Sequence, residues 1–266
     1  SKDVIVDEAR HLVGQGVTEL SLVSQDSVQW GRDIGDDRFS DLLRALEHVD
    51  GLKRVRLMYL HPQGVTDELI ETMAESNVVV NYFDLSLQHV SPAVLKGMGR
   101  WGGRARFEKM IDKIRTLDAV AGIRTTYILG FPGETDTDAD EVVSFISDSG
   151  ADWIGTFTYS REAGTRSHDM IDQVPADVAR ERTERALDAG EDAMARRAEN
   201  LVGETLEVLV ERFDLQEQQW VGRSHREAPD IDGEIMFESD RTLKVGDYIE
   251  VSIGSTDGAD LLGTAA

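Results

Sequence analysis

Cysteine is absent from all 266 residues. No disulfide can form within the chain, and no thiolate can hold a metal or a cluster there. No apolar run approaches the roughly 20 residues that a membrane-spanning helix needs, and no secretory signal pattern opens the sequence. No membrane association and a cytoplasmic location are therefore expected. Positive charge is scarce: 28 Lys and Arg stand against 51 Asp and Glu, a net charge of −23, and only six of the bases are lysines. Such a field repels phosphate backbones and attracts basic partners, although adaptation to salt or general solubility produces the same balance. The sequence also lacks repeats, low-complexity tracts and a GxGxxG phosphate loop after its first strand.

What is present suits one large or two ordinary soluble globular domains, with 40% hydrophobic and 30% charged residues. Apolar spacing predicts a helix over 3–15, a strand over 19–23, and, after the loop "QDSVQWGRDIGDD", a helix over 39–49. A strand over 54–60, a helix over 66–76 capped by Thr66, and a strand over 82–87 follow. Helices over 92–98 and 104–117, a fourth strand over 124–130, a helix over 138–149 and a fifth strand over 153–159 complete the series. Strand and helix alternate through short connections, so the sheet should be parallel, with ligands at its C-terminal edge. The unusual loops all begin there: "SQD", "LHP", "LQH", "GFPGE" and "YSREAGT". A doubly wound open sheet satisfies the same periodicity.

Residues 175–200 read as a long connector helix interrupted only by Gly190, which should weaken it by roughly 1 kcal/mol relative to alanine. From 201 to 266 the pattern changes to alternating strands with Gly-Asp turns, the signature of a small antiparallel barrel. The predicted domains are thus 1–200 and 201–266.

The stretches "ELSLVSQDSVQWG", "RVRLMYLHPQGVTDELIE", "NYFDLSLQHVSPAVLKGMGR", "GIRTTYILGFPGETDTDADEVVSFI", "GTFTYSREAGTRS" and "LVGETLEVLVE" with "GRSHREAPDIDGEI" run in one order along the chain. In that order they resemble the radical S-adenosylmethionine (SAM) methylthiotransferases, most closely those that methylthiolate an aspartate of a small-subunit ribosomal protein. The resemblance implies an α/β fold: a partial (βα) radical-SAM barrel missing its first strand, followed by a small antiparallel, TRAM-like β-barrel. It implies SAM and two [4Fe-4S] clusters as cofactors of the intact enzyme, one of them in a CxxxCxxC loop after the first barrel strand. "SKDVIVDEAR" resembles the helix just downstream of that loop, so the chain is expected to start past the cluster ligands and to be inactive alone. In the intact enzyme, radical removal of hydrogen from the aspartate β-carbon would precede sulfur insertion, and a second SAM would supply the methyl group.

The resemblance also assigns site residues. Gly130 and Gly133 would let the backbone approach bound SAM while Pro132 stiffens the turn; the simpler reading is a strand-to-helix turn in which Glu134 and Asp136 complement a helix dipole. Gln25 and Asp26 match positions at the amino end of the methionine moiety, or form an ordinary polar loop. Gln88 and His89 match the family's "LQH", although Ser86 stands where the family has proline, and His89 is expected to position rather than to bind metal. Arg100 and Arg124 could grip a carboxylate with their planar forks, or lie on the surface. Tyr59 and Tyr159 would line the mouth of the barrel or simply pack.

The final 66 residues carry 15 acids and 5 bases. A nucleic-acid module should show a basic stripe with stacking aromatics; here Phe213, Trp220, Phe237 and Tyr248 have the opposite charge around them. A basic ribosomal protein is the expected partner, transfer RNA the second choice, and a non-catalytic binding or scaffold role the third.

Overall fold

The computed structural model describes residues 1–35 and 38–266; Asp36 and Asp37, at the end of the "QDSVQWGRDIGDD" loop, lie outside the described residues. The elements run α1 (Lys2–Val13), β1 (Glu19–Leu22), α2 (Phe39–Leu46), β2 (Arg54–Leu57), α3 (Asp67–Glu75), β3 (Tyr82–Gln88), α4 (Pro92–Met98), α5 (Arg104–Leu117), β4 (Gly122–Leu129), α6 (Asp136–Asp148) and β5 (Trp153–Thr158). β1 pairs with β2, and β3, β4 and β5 pair in that order, all in parallel. Isolated parallel bridges from Val55 to Val79 and from Leu60 to Leu85 join the two groups. The result is a curved, open parallel sheet in chain order. Val55, Leu57, Phe83, Leu85, Ile123, Tyr127 and Leu129 face the helices and form one core with Leu42, Leu43, Ile70, Met73, Phe107, Ile111, Phe145 and Ile146. No helix among the described residues is long and apolar enough to cross a membrane.

Two differences from the sequence reading have local reasons. α6 begins at Asp136, two residues early, because Thr135 Oγ1 accepts the Asp138 N–H while Asp138 Oδ2 accepts the Thr135 N–H. This capping box makes the acids of "ETDTDAD" the first turn of the helix rather than a preceding loop. α7 (Ala176–Glu199) runs unbroken through Gly190, which is buried where an added Cβ would come within 3.3 Å of Ile154 Cγ2. Glycine there admits close packing of α7 on β5.

The C-terminal strands β6 (Thr205–Asp214), β7 (Gln219–Arg223), β8 (Ile235–Glu238), β9 (Tyr248–Asp257) and β10 (Asp260–Ala265) close in the order β10-β8-β7-β6-β9. Four pairings are antiparallel, but β8 and β10 are parallel, so the barrel is not purely antiparallel. β7, hidden in "QQWVGR", did not stand out in the sequence.

The loop from β7 to β8 packs under the sheet and touches the first residues of all five parallel strands. Arg223 donates to Glu19 at 2.6 Å, and Arg54 donates to the Arg223 carbonyl at 3.2 Å. The fully buried Arg56 donates to the His225 and Ser224 carbonyls at 2.7 and 3.3 Å. Tyr82 Oη donates to Asp232 at 2.7 Å, and Trp153 Nε1 to the Arg226 carbonyl at 3.1 Å. At Gly122 a Cβ would lie 2.5 Å from that same carbonyl oxygen. Beside it, buried Asp152 accepts from Arg115 (2.6 Å), Arg197 (2.8 Å), Arg226 (2.5 Å) and the Ile123 N–H (2.8 Å). Burial opposes ionisation of Asp152, but Arg226, Arg115 and Arg197 outweigh it and hold the carboxyl below its ordinary range.

Among the described residues β1 has a strand neighbour only in β2. Its outer edge borders an apolar hollow of about 400 Å3 between α1 and α2, lined by Leu12, Leu20, Leu22, Trp30 and Phe39. Hydrogen exchange should therefore be faster in β1 than in β4, which is paired on both sides, and concentrated β1-exposed chain should self-associate. Equal protection of the two strands in a monomer would overturn this. Asp152→Asn should lower unfolding free energy by about 3–5 kcal/mol because three arginines lose a buried partner. With a folded-state pKa below the unfolded one, the Asp152 contribution is complete above about pH 4 and disappears as the pH falls further. Denaturant titrations from pH 7 to pH 3 should show the variant losing part of the wild-type acid dependence.

Candidate functional site

At the opposite, C-terminal end of the strands the inner face of the sheet is open. A cavity of about 420 Å3 is lined there by Gln88, Arg100, Ile128, Phe131, Phe157 and Tyr159 among others. Two non-glycine residues at this edge hold left-handed backbone: Tyr59 with φ 55° just past β2, and Gln88 with φ 69° at the end of β3. Such backbone costs on the order of 1–3 kcal/mol and persists only where its surroundings impose it. Here they do: Asp84 accepts the Tyr59 N–H at 2.9 Å, and the Gln88 amide donates to Thr126 Oγ1 at 3.1 Å. The Tyr159 N–H is tied to the Leu129 carbonyl at 2.8 Å, its ring meets Phe131 edge-on with centroids 5.3 Å apart, and its buried hydroxyl has no partner among the described residues.

The "GFPGE" loop is organised by Glu134. Its fully buried carboxylate accepts the Gly130 N–H on both oxygens (3.0 and 2.9 Å) and Arg182 Nη1 at 2.9 Å. His89, equally buried, places Nε2 at 3.3 Å from Glu134 Oε2, while its Nδ1 accepts the Ser91 N–H at 2.9 Å. That acceptor role puts the neutral-ring proton on Nε2, facing the carboxylate. One side chain thus fastens the end of β3, the loop after β4 and helix α7. Glu134 and His89 lie behind the loop rather than in the cavity. Gly130 (φ 80°) is required by α7, since a Cβ would fall 2.3 Å from Ala179 Cβ; only Gly133 (φ 86°) has open space at its Cα.

Arg100 reaches the mouth through the C-terminus of α4. Gly99 adopts left-handed backbone (φ 71°), its N–H bonds to the Lys96 carbonyl at 3.2 Å, and the Arg100 N–H bonds to Leu95 at 2.8 Å. This paired arrangement turns the chain sharply after the helix. His61, just past β2, accepts the Gln63 N–H on Nδ1 at 3.3 Å. Burial and the Arg100 guanidinium push its imidazole below the ordinary value, against an opposing pull from Asp26. Asp26, after β1, has one buried carboxylate oxygen without a partner among the described residues; Gln25 is exposed.

Arg124 does not join this group. It sits near the start of β4 and donates to Asp232 at 2.6 Å and to the Ile231 carbonyl at 3.2 Å, so its fork is occupied at the base of the sheet. The sequence reading missed His61, Phe131, Phe157 and Arg182. His61 stood in a quoted loop, "LHP", and its position after a strand was the available signal. Arg182 lies in an Arg- and Glu-rich helix where nothing in the sequence separates it from surface arginines.

Profiles of known families match both parts of the chain: the radical SAM superfamily over residues 1–146 and the TRAM domain over residues 202–266. A ribosomal protein uS12 methylthiotransferase RimO from Streptomyces avermitilis is 40% identical over 97% of this chain, which covers 52% of that protein. The RimO of Aquifex aeolicus is 38% identical over 97% of the chain, with 60% of that protein covered. The chain therefore spans about half the length of these relatives, or slightly more. Among solved structures, the coproporphyrinogen III oxidase HemN of Escherichia coli, a radical SAM enzyme, superposes with a TM-score of 0.52 at 13% identity, over 76% of this chain and 47% of that one. That likeness concerns the fold alone. With its parallel sheet, its site at the strands' C-terminal ends and its closed C-terminal barrel, the chain belongs to the radical SAM superfamily and carries a TRAM domain.

Proposed function

We propose that this chain is part of a cytoplasmic radical SAM methylthiotransferase that modifies the β-carbon of an aspartate in ribosomal protein uS12. The observation that carries the reading is the 40% identity, sustained over 97% of the chain, to enzymes bearing that name. Residues 1–200 would hold the reaction partners and residues 201–266 would recognise the protein substrate. In such an enzyme SAM and iron–sulfur clusters supply the radical, sulfur and methyl chemistry.

The mouth fits SAM. Its ammonium group matches the unpartnered carboxylate oxygen of Asp26, with Gln25 beside it, and its flat adenine suits a cavity walled by Phe131, Phe157 and Tyr159. Open space at Gly133 allows backbone to approach the ligand, Gln88 is held at the cavity by its bond to Thr126, and the Tyr159 hydroxyl is an available donor. His89 and Glu134 act through Gly130, as positioning residues for the loop. A thiolate-held cluster does not fit this chain, which has no cysteine. We therefore propose that these 266 residues alone are inactive.

The TRAM domain's excess of acids supports a basic protein partner. Not every acid is available: Asp232 is buried on Arg124 and Tyr82, and Glu234 pairs with Arg212 at 2.5 Å. Asp230, Glu217, Glu238 and Glu250 are exposed.

Anaerobic iron–sulfur reconstitution of this chain should give no cluster absorbance and no deoxyadenosine from SAM; stoichiometric cluster with product release would overturn the inactivity proposal. Binding of uS12 to the whole chain should weaken between 50 and about 200 mM salt, and Glu217→Lys with Glu238→Lys and Glu250→Lys should slow association by roughly tenfold. Tighter binding of transfer RNA than of uS12 under the same conditions would sink the protein-substrate reading.

A further inference from the structure

The parallel sheet has a seam. β1 pairs with β2, and β3, β4 and β5 pair with one another, but among the described residues β2 and β3 meet only at the isolated bridges from Val55 to Val79 and from Leu60 to Leu85. Between those bridges residues 56–59 form no ladder with β3, although they lead straight to the mouth. At its mouth end the seam is spanned by Asp84 of β3. This residue is 4% exposed; its Oδ2 accepts the Tyr59 N–H at 2.9 Å, and its carbonyl accepts the Leu60 N–H at 2.8 Å.

Tyr59 needs that acceptor. Its backbone is left-handed (φ 55°), a conformation that persists only where neighbours impose it, and its N–H has no ladder partner to satisfy it instead. Arg124, anchored on Asp232, places Nε 3.8 Å from Asp84 Oδ1 and leaves Oδ2 for Tyr59. Burial pushes the Asp84 carboxyl above its ordinary range, while the Tyr59 N–H and Arg124 oppose this by favouring the ionised form. On its other side the Tyr59 carbonyl accepts the Ser27 N–H at 3.3 Å, and Ser27 Oγ donates to the Met58 carbonyl at 2.7 Å. The loop after β1, which carries Asp26, is thus fastened to the turn that Asp84 holds.

We infer that Asp84 is a positioning residue that clamps the seam between β2 and β3 and thereby sets the loops after β1 and β2 at the mouth. It acts through the Tyr59 backbone and not on the ligand. The consequence for ligand binding rests on the SAM reading proposed above; the clamp itself does not. Loss of the Oδ2 acceptor frees the Tyr59 turn, and the Ser27 amide loses its fixed acceptor with it.

The test uses the whole 266-residue chain, labelled with 15N, and follows amide hydrogen exchange by NMR at Tyr59 and Ser27, with Thr125 and Tyr127 of β4 as internal references. Asp84→Ala should speed exchange at Tyr59 and Ser27 on the order of tenfold relative to β4. Asp84→Asn keeps an acceptor oxygen and should restore slow exchange at both. Asp84→Ser, whose oxygen stops one bond short of Tyr59, should behave as the alanine variant does and serves as the second variant. S-adenosylhomocysteine should bind the alanine variant roughly tenfold more weakly than the unaltered chain, and the asparagine variant within about threefold of it. Unchanged Ser27 exchange in Asp84→Ala, equal acceleration across β4, or exchange in Asp84→Asn as fast as in Asp84→Ala would overturn the clamp. Equal binding of S-adenosylhomocysteine by all the variants would overturn its positioning role. Failure of the unaltered chain to bind S-adenosylhomocysteine, with the local exchange response intact, would count against the cofactor reading and leave the clamp standing.

Discussion

The buried contact between the β7–β8 loop and the starts of the five parallel strands is the constraint on which the rest depends. An open parallel sheet with charged residues on its inner face would be poorly satisfied alone: Glu19, Arg56, Tyr82, Asp84 and Arg124 all point polar groups to the concave side. The loop satisfies them with backbone carbonyls, Asp232 and Arg223, and the three-arginine cluster on Asp152, which includes Arg226, fixes its centre. Removing one member leaves several charges buried without partners, and that is why the network is a structural lock rather than a collection of surface pairs. It also joins the two domains through more than the connector helix.

This lock separates the two ends of the sheet by chemistry. At the base the charges are paired and enclosed. At the mouth, the hydroxyl of Tyr159 and the guanidinium of Arg100 line the cavity without a side-chain partner among the described residues. α7 links the ends, gripping Glu134 behind the mouth loop through Arg182 and Asp152 at the base through Arg197.

The "GFPGE" stretch illustrates how one motif divides its labour. Gly130 gives way to Ala179, Glu134 holds the loop from behind, Thr135 and Asp138 start the next helix, and of the two glycines only Gly133 has open space at its Cα. A single loop motif can therefore consist mostly of residues that shape and fasten the backbone.

The sequence by itself determined the order of helices and strands through the parallel sheet, because apolar periodicity and end signals are local: α4 and α5 start and stop where "PAVLKGM" and "RARFEKMIDKIRTL" say they should. It also placed the functional loops at one edge, since alternating strands and helices force a parallel sheet. It could not distribute the charges. Arg100 and Arg124 look alike in the sequence, yet the first lines the mouth with no ion pair among the described residues and the other is bound to Asp232, 108 residues away in the chain. Gly190 reads as a helix weakness until Ile154 is seen against it, and Asp232 as a surface acid until it is found under Tyr82. Those outcomes belong to the tertiary structure, because ion pairing and close packing depend on which distant segments meet, and no local pattern carries that information.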